Sequence, residues 1–576
     1  GGDGNAYGVA NVGGVTVYER CYDGNPLVNA LAAGMVRHDA MRSAAARIPG
    51  NLVLYVGATT GRDGILGAAF ASEQLGDPDE HHSRRSHVQV ADPFMGRKLM
   101  ESCLSFEKGL MANQDLGACG IACAASEMAA AGGTGIDIDL TTIPVREQNM
   151  DPDEILLSES QERFLFVIDA AHREEALRHF RSFGVNAVVC GVVTDTGYLR
   201  ARHGDEVVVD LPASFIADEA PPPSWEAAVA LPDPEPYPDI PPPGDLSIVL
   251  LQLLAAPGIA DSAPVYRRYD QTVGNRTVRG PGQGEAAVLK LPGSKAGFAL
   301  SLEGRGDGCA VNPYLGTQAI LGKTVRNLGC VGAEIVAITD GINAGSPSDP
   351  VEYLRLIEVI RGLGDGLRQL QIPVTGGNCS LYNESPAGAI PPTPMIGAIG
   401  LIADVDLIPR PTFEPGEVVF LIGELHQQPT LSTYGRLRTG SSSGPPPAAD
   451  LDADRLLASF LISEVDHGRI RTAKDGGTGG LAAALAKLCI RSGVGAGVSL
   501  TERWLRADWL LFGEYPGTAW ITTALGDADT VEASAGKLGI PIRRVGTTGG
   551  DRLRIGDAVD VSMTDLTAAF RTGDAA

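Results

Sequence analysis

The stretch DLGACGIACAASEMAAAGGTGIDIDL (residues 115–140) recurs without a gap as DGGTGGLAAALAKLCIRSGVGAGVSL (residues 475–500). Each copy opens on an Asp and a Gly-rich turn, runs through a helix of small residues, and leaves through Gly into a strand. Other segments align around this pair. NLVLYVG (51–57) matches EVVFLIG (417–423), LSESQERFLFVI (157–168) matches FGEYPGTAWITT (512–523), and FGVNAVVCGVV (183–193) matches LGIPIRRVGTT (538–548). Further upstream, Gly4-Asn5 with YDGNPLVNALAAGMV (22–36) matches Gly377-Asn378 with AIPPTPMIGAIGLI (389–402). A period this long is not that of a solenoid and fits a duplicated two-domain unit. The second copy carries sequence from about Gly282 ahead of its Gly-Asn pair, whereas the first copy has only four residues ahead of Asn5. The first copy is therefore expected to lack its opening half. With Gly rather than Met at position 1, the chain is expected to be truncated at its N-terminus.

Strands and helices intermix without a regular βαβα alternation, which predicts α+β domains. The expected division is a remnant of a first N-terminal-type domain at 1–40 and a first C-terminal-type domain at 41–218. A Pro-rich linker at 219–245, a second N-terminal-type domain at 246–410 and a second C-terminal-type domain at 411–576 follow. Asp92-Pro93 caps a helix with Met95, Leu99, Cys103, Phe106 and Leu110 on its apolar face. Asp349-Pro350 caps another, with Val351, Leu354, Ile357, Ile360, Leu363 and Leu367 inward. EIVAIT (334–339) and GAIGLI (397–402) read as strands.

Composition narrows the function. The chain has 576 residues and a net charge of −24, a poor match to the basic surface that nucleic-acid binding needs. Its nine cysteines form no disulfide or zinc pattern and read as buried thiols of a reducing cytosol. The longest apolar run, Leu246–Ala256, is interrupted by Gln252 and stopped by Pro257, so no membrane span or signal peptide is expected.

Several motifs carry chemistry. EIVAITDGINAGSP (334–347) is a strand ending in Asp340 and a Gly/Asn-rich loop, an arrangement that suits a magnesium nucleotide or a plain turn. VTGGNCSLYNE (374–384) sets two glycines before Asn378 and Ser380; the alternatives are a phosphate-approaching loop and a β-bulge. QDLGACG (114–120) places Asp115 before a helix, as metal ligand, as N-cap, or as both. LSESQER (157–163) packs Glu159, Ser160, Gln161 and Arg163 at the head of a strand, a polar run that reads as a ligand site rather than an exposed edge. VQVADPF (88–94) places Gln89 on an expected strand just before a capped helix, a position that can face a cleft, though the signal is weak alone. Other signals fail. GTQAILGKT (316–324) has five residues between its glycines where a P-loop has four. HHSRRSH (81–87) lacks a carboxylate or Cys partner, and Arg305-Gly306-Asp307 reads as an accidental tripeptide.

The ordered set YDGNPLVNA, VGATTGRDGI, VQVADPFM, QDLGACG, LSESQERF, YRRYDQTV, AITDGINAGSP, TGGNCSLYNE and IPPTPMIGAIGLI resembles phosphoribosylformylglycinamidine synthase, the large synthetase subunit of purine biosynthesis. The resemblance implies tandem aminoimidazole-ribonucleotide-synthetase-like units forming a pseudo-dimer, with the first unit incomplete. It implies that ATP phosphorylates the amide oxygen of formylglycinamide ribonucleotide and that ammonia then displaces phosphate. Gln89, Glu159, Ser160, Gln161 and Ser380 would contact the ribonucleotide. Asp340 and Gly377 would contact ATP, between the two halves, and Asp115 and Asn378 would hold Mg2+.

The family's catalytic His and its His-Asn-His-Pro loop lie ahead of Gly1, so the catalytic residue is unassigned and little turnover is expected of these residues alone. The second-copy region GDGCAVNPY (306–314) lacks those histidines, and Glu514-Tyr515-Pro516 replaces Glu-Ser-Gln, so no second substrate site is expected. As in the family's small form, ammonia would come from a separate glutaminase subunit docked through a small bridging subunit, in the cytoplasm. The competing readings are another synthetase of the superfamily, cyclo-ligase or kinase-like, and a non-catalytic nucleotide-binding scaffold.

Overall fold

The structure is a computed structural model that describes residues 2–65, 91–221, 223–233, 236, 239–425, 431–440, 444, 449–502 and 504–572. The chain forms two compact units. One holds Gly2–Val9 and Ala32–Ser224, and the other holds Ala10–Leu31 and Trp225–Ala576.

The first unit is built on seven strands. They are β1 (Leu52–Gly57), β2 (Leu110–Asp115), β3 (Gly135–Asp139), β4 (Arg163–Ile168), β5 (Asn186–Thr194), β6 (Tyr198–His203) and β7 (Glu206–Pro212). Their order is β2-β4-β1-β5-β3-β6-β7, antiparallel throughout except for β3 against β6. Successive side chains of β1 face opposite ways. Val53 and Tyr55 pack under the helix Gly120–Gly132, while Leu54 and Val56 join Leu99, Phe166 and Phe180 on the other face. The small residues of that helix serve close approach: a Cβ at Gly132 would collide with the Ala46 carbonyl.

The second unit contains two sheets. The first comprises β8 (Thr277–Arg279), β9 (Ala287–Lys290), β10 (Gly297–Glu303), β11 (Glu334–Asn343), β12 (Val374–Ser380) and β15 (Thr393–Ile402), in the order β12-β11-β15-β10-β9-β8. A short hairpin of β13 (Glu384–Ser385) and β14 (Gly388–Ala389) lies between β12 and β15 in the chain. The helices Pro313–Gly329 and Pro350–Leu370 contribute Leu321, Val325, Leu363 and Leu367 to its core. The other sheet has β16 (Val418–Ile422), β17 (Thr472–Asp475), β18 (Ala496–Val498), β19 (Ala519–Thr523), β20 (Ile542–Thr548), β21 (Arg552–Ile555) and β22 (Val559–Ser562). Its order, β17-β19-β16-β20-β18-β21-β22, repeats that of the first unit strand for strand. The repeat in the sequence is therefore a repeat of topology, and the α+β reading holds.

Some local readings need correction. The helix after Asp349 buries Leu356, Val359, Leu363, Leu367 and Leu370, whereas Ile360 is 51% exposed. Counting from Val351 places the stripe one step off in its first half, where Leu356 and Val359 pack on Ile342 and Ala344. The helix after Asp92 stops at Ser105, and Leu110 begins β2 rather than extending the helical face. Residues 22–36 form no strand, although they align with β15. Backbone donors in a strand need a flanking ladder, and nothing pairs with this segment among the described residues. Instead the Tyr22 hydroxyl meets Thr393 Oγ1 at 2.7 Å, and Glu19 pairs with Arg436 at 2.7 Å. Part of the Pro-rich segment docks: Ala228 N donates to Pro350 O at 2.9 Å, and Trp225 packs edge-on against Tyr353. Leu246–Leu254 is a helix, with Asp245 accepting from the amides of Ser247 and Ile248. Its Val249, Leu250, Leu253 and Leu254 are buried in the core, which accounts for the apolar run.

Candidate active site

In the first unit, β2 ends at Asp115, and the next helix begins only at Gly120 with Cys119 as its N-cap (φ +54°). Asp115 is therefore not the cap. Its carboxylate is exposed and has no hydrogen-bond or ion-pair partner among the described residues. The free amide at the helix start is answered by Glu159, whose Oε1 accepts from Cys119 N at 3.1 Å. Glu159 and Ser160 are 5% and 2% exposed, so the polar run is no sheet edge. Arg163, 1% exposed, threads beneath it. Its guanidinium donates to the carbonyls of Ser160 and Ser158, each at 2.5 Å, and to Thr60 Oγ1 at 3.0 Å. Ser160 Oγ accepts from Gly61 N at 2.9 Å. Gln161 is half-buried, with Nε2 donating to Glu159 O at 3.3 Å. Glu162 follows in the left-handed region (φ +64°) and accepts from the Tyr7 hydroxyl at 3.3 Å. Burial raises both groups, the Tyr7 phenol to about 12. Gln89 and the HHSRRSH segment lie outside the described residues.

In the second unit, parallel pairing of β11 and β12 sets Asp340 opposite Gly377, Gly341 opposite Asn378, and Asn343 opposite Ser380. Four of the candidate residues thus meet on one pair of strands. β12 is an edge strand, exposed along nearly its whole length. Burial raises the half-buried Asp340 carboxyl above the usual carboxylate range, and no cation among the described residues opposes it. A Cβ at Gly377 would lie 2.5 Å from Asp340 Oδ1, so the missing side chain is what admits this carboxylate. Gly376 adopts φ +141°, a conformation that favours glycine. The exposed Asn378 amide has no partner among the described residues. Ser380 Oγ accepts from Asn383 Nδ2 at 3.1 Å.

The counterparts in the second copy are neutralised from within. Asp475, aligned with Asp115, is 1% exposed and accepts from Arg326 Nε at 2.6 Å. Arg326 Nη1 also reaches Asp454 at 2.7 Å. Glu514, aligned with Glu159, pairs with Arg305 at 2.9 Å and accepts from Gly479 N at 3.0 Å. Burial alone would raise the Glu514 carboxyl, but Arg305 and the donors from Thr433 and Gly479 bring it down to about 2. Arg305 also pairs with Asp307, so the tripeptide read as accidental lines a cleft with Glu514 and Lys323. Lys323, in the P-loop-like stretch, lies inside a buried helix and pairs with Glu303 at 3.0 Å.

A cationic cluster lies beside this cleft. Lys474 pairs with Glu285 at 2.6 Å, whereas the mostly buried Lys487 ammonium has no partner among the described residues. Burial, then Lys474, pushes Lys487 down to about 7, with Lys323 and Arg491 adding to the effect. The unfolded chain binds this proton up to about pH 10.4. Between these values the unfolded state holds more protons, so stability rises with pH. Lys487→Met should raise Tm at pH 7 by roughly 2–4 °C, and the gain should shrink toward pH 10. Thermal melts of both proteins across that range check this; a pH-independent difference would refute it.

Residues 49–204 and 414–557 match the AIR synthase related protein C-terminal domain, and residues 283–402 match the corresponding N-terminal domain. The chain is 40% identical over 583 residues to phosphoribosylformylglycinamidine synthase subunit PurL of Thermomicrobium roseum, covering 99% of this chain and 79% of that protein. The chain belongs to this synthase family. The Thermosynechococcus vestitus synthase subunit is 42% identical, with 89% of this chain and 70% of that one covered.

Solved synthase structures share the fold. Thermotoga maritima PurL complexed with FGAR matches with a TM-score of 0.73 at 28% identity, covering 95% of this chain and 80% of that one. The same protein complexed with ATP gives 0.69 at 25% identity, covering 95% and 79%. The T. maritima PurLQS structure gives 0.71 at 26% identity, covering 95% and 80%. Synthase relatives spanning nearly the whole chain favour this reading over the cyclo-ligase and kinase-like ones. No described helix is long and apolar enough to cross a membrane. The ion pairs of Arg305, Arg326 and Lys323 escaped the sequence reading. The loss of the family's histidines around Arg305 was the available signal.

Proposed function

We propose that the protein carries out the family's ATP-dependent conversion of formylglycinamide ribonucleotide and ammonia to formylglycinamidine ribonucleotide, ADP and phosphate, in purine biosynthesis. The observation that carries this is the contrast between the copies. Asp115 is exposed and has no partner among the described residues, whereas its counterpart Asp475 is sealed against Arg326. A carboxylate kept unpaired at a strand end suits a ligand.

In this reading Gln89, Glu159, Gln161 and Ser380 bind the ribonucleotide, with Ser160 holding the strip between them. Asp340 and Gly377 meet ATP. Asp115 and Asn378 offer exposed oxygen donors, the hard ligands that Mg2+ prefers alongside substrate phosphates. When bound, Mg2+ supplies charge neutralisation for phosphoryl transfer. The residues then orient the amide oxygen toward the phosphoryl donor and keep the reacting atoms in line, so no protein nucleophile is needed. Ammonia comes from glutamine through a separate glutaminase subunit and a small bridging subunit, in the cytoplasm. Residues 41–218 and 411–576 serve as C-terminal-type domains, and 246–410 as the N-terminal-type domain between them.

The test is isotopic. Given the ribonucleotide, MgATP and 15N-ammonium, the protein as its whole gene encodes it should form one 15N-amidine for each ADP released, whereas little turnover is expected of these residues alone. ADP released without 15N in the product would defeat the proposal.

A further inference from the structure

The Glu159–Gln161 strip leans on a side chain that no motif singled out. Asp63 lies in the loop after β1 and is 7% exposed. Its main-chain carbonyl accepts from Glu159 N at 2.8 Å. Its carboxylate accepts the Ser160 hydroxyl proton, and Arg146 Nη2 donates to the same carboxylate at 2.6 Å. The loop is held from two sides. Thr60 N donates to Pro144 O at 2.8 Å and Arg146 N to Thr60 O at 2.7 Å. From the other side, Ser158 Oγ donates to Gly61 O at 2.6 Å.

A buried carboxylate is expensive unless its charge is answered. The answering cation here is weakly placed, since the Arg146 side chain is 46% exposed. The other partner is the Ser160 hydroxyl, whose proton goes to Asp63 while its oxygen accepts from Gly61 N. Ser160 is therefore locked in one orientation and closed to solvent. On either side of it, Glu159 accepts from Cys119 N and is 5% exposed, and Gln161 is half-buried.

We infer that Asp63 is a positioning residue for the substrate strip. It fixes Ser160, so that Glu159 and Gln161 are already in place when the ribonucleotide arrives. This rests on the reading of Glu159 and Gln161 as substrate contacts. Ordering the strip in advance removes a cost that binding would otherwise carry.

Calorimetric titration of the enzyme with formylglycinamide ribonucleotide tests it. Asp63→Ala should weaken binding about tenfold, the size expected for one charge-assisted hydrogen bond. Asp63→Asn keeps an acceptor for Ser160 and should lose no more than about threefold. MgATP affinity should not change in either variant. Ser160→Ala should weaken ribonucleotide binding, and adding Asp63→Ala to it should cost nothing more, because partners in one interaction are not additive. Additive losses, or an Asp63→Ala variant that binds like the wild type, would overturn the inference. If Ser160→Ala alone binds normally, the substrate reading of the strip falls with it. If Ser160→Ala weakens binding and Asp63→Ala does not, only the role of Asp63 falls. Should thermal melts show Asp63→Ala unfolded, Asp63→Asn with and without Ser160→Ala completes the same cycle.

Discussion

Asp340→Asn is expected to lower kcat/KM for ATP by about 10²–10³-fold, the range seen when one preorganised polar group is lost from a reacting site. Ribonucleotide affinity should stay within about twofold, since binding and charge loss sit on different groups. The substitution keeps the size of the side chain against Gly377 and removes only its charge. The carboxylate is available because burial raises it and no cation among the described residues opposes that. The sign of the pH effect follows. A carboxyl raised above the usual range gains its proton at a higher pH as the solution is acidified. ATP dependence should therefore weaken in mild acid in the wild type, and this limb should vanish in Asp340→Asn. Gly377→Ala offers an independent approach to the same group, because its Cβ would displace Asp340. Steady-state kinetics at varied ATP decides the matter, and an unchanged ATP response in Asp340→Asn would remove it from the site.

Much of this was legible before the structure because it is local or repeated. Aligning residues 115–140 with 475–500 anticipated two sheets with one strand order, since equal patterns of strand, turn and small-residue helix fold alike. The Gly-Gly pair before Asn378 read as a phosphate-approaching loop or a β-bulge, and that it sets Gly377 opposite Asp340 came only from the strand register. What escaped the reading is long-range. Arg305 finds Glu514 at a sequence separation of 209, and Lys474 finds Glu285 at 189. No spacing rule links such residues. Asp115 illustrates a second limit. A carboxylate ahead of a helix fits an N-cap by composition, but four residues of turn intervene, and the helix amide goes to Glu159 instead. Asp63 sits inside the quoted VGATTGRDGI, but nothing in that stretch tells which hydroxyl it holds.

Arg326→Met should be the most destabilising single change, at about 3–5 kcal/mol, because it leaves buried charge uncompensated. Asp454 and Asp475 are each 1% exposed, and Arg326 is the cation that bonds both. Asp454 Oδ2 already lacks a partner, and burial raises the Asp454 carboxyl despite Arg326. Removing the guanidinium would raise it further. A carboxyl whose folded pKa is raised destabilises the protein above its unfolded pKa, and this cost falls as pH drops through the folded value. The deficit of Arg326→Met should therefore be larger at pH 8 than at pH 5. Adding Asp454→Asn and Asp475→Asn removes the stranded charges and should recover more than half of the loss. Urea unfolding of the three proteins at both pH values measures this directly. A deficit that stays the same at pH 5 and pH 8 would mean that lost packing, not stranded charge, sets the cost. The sealed second copy would then owe its stability to shape, and Arg326 would be replaceable by any side chain of similar length.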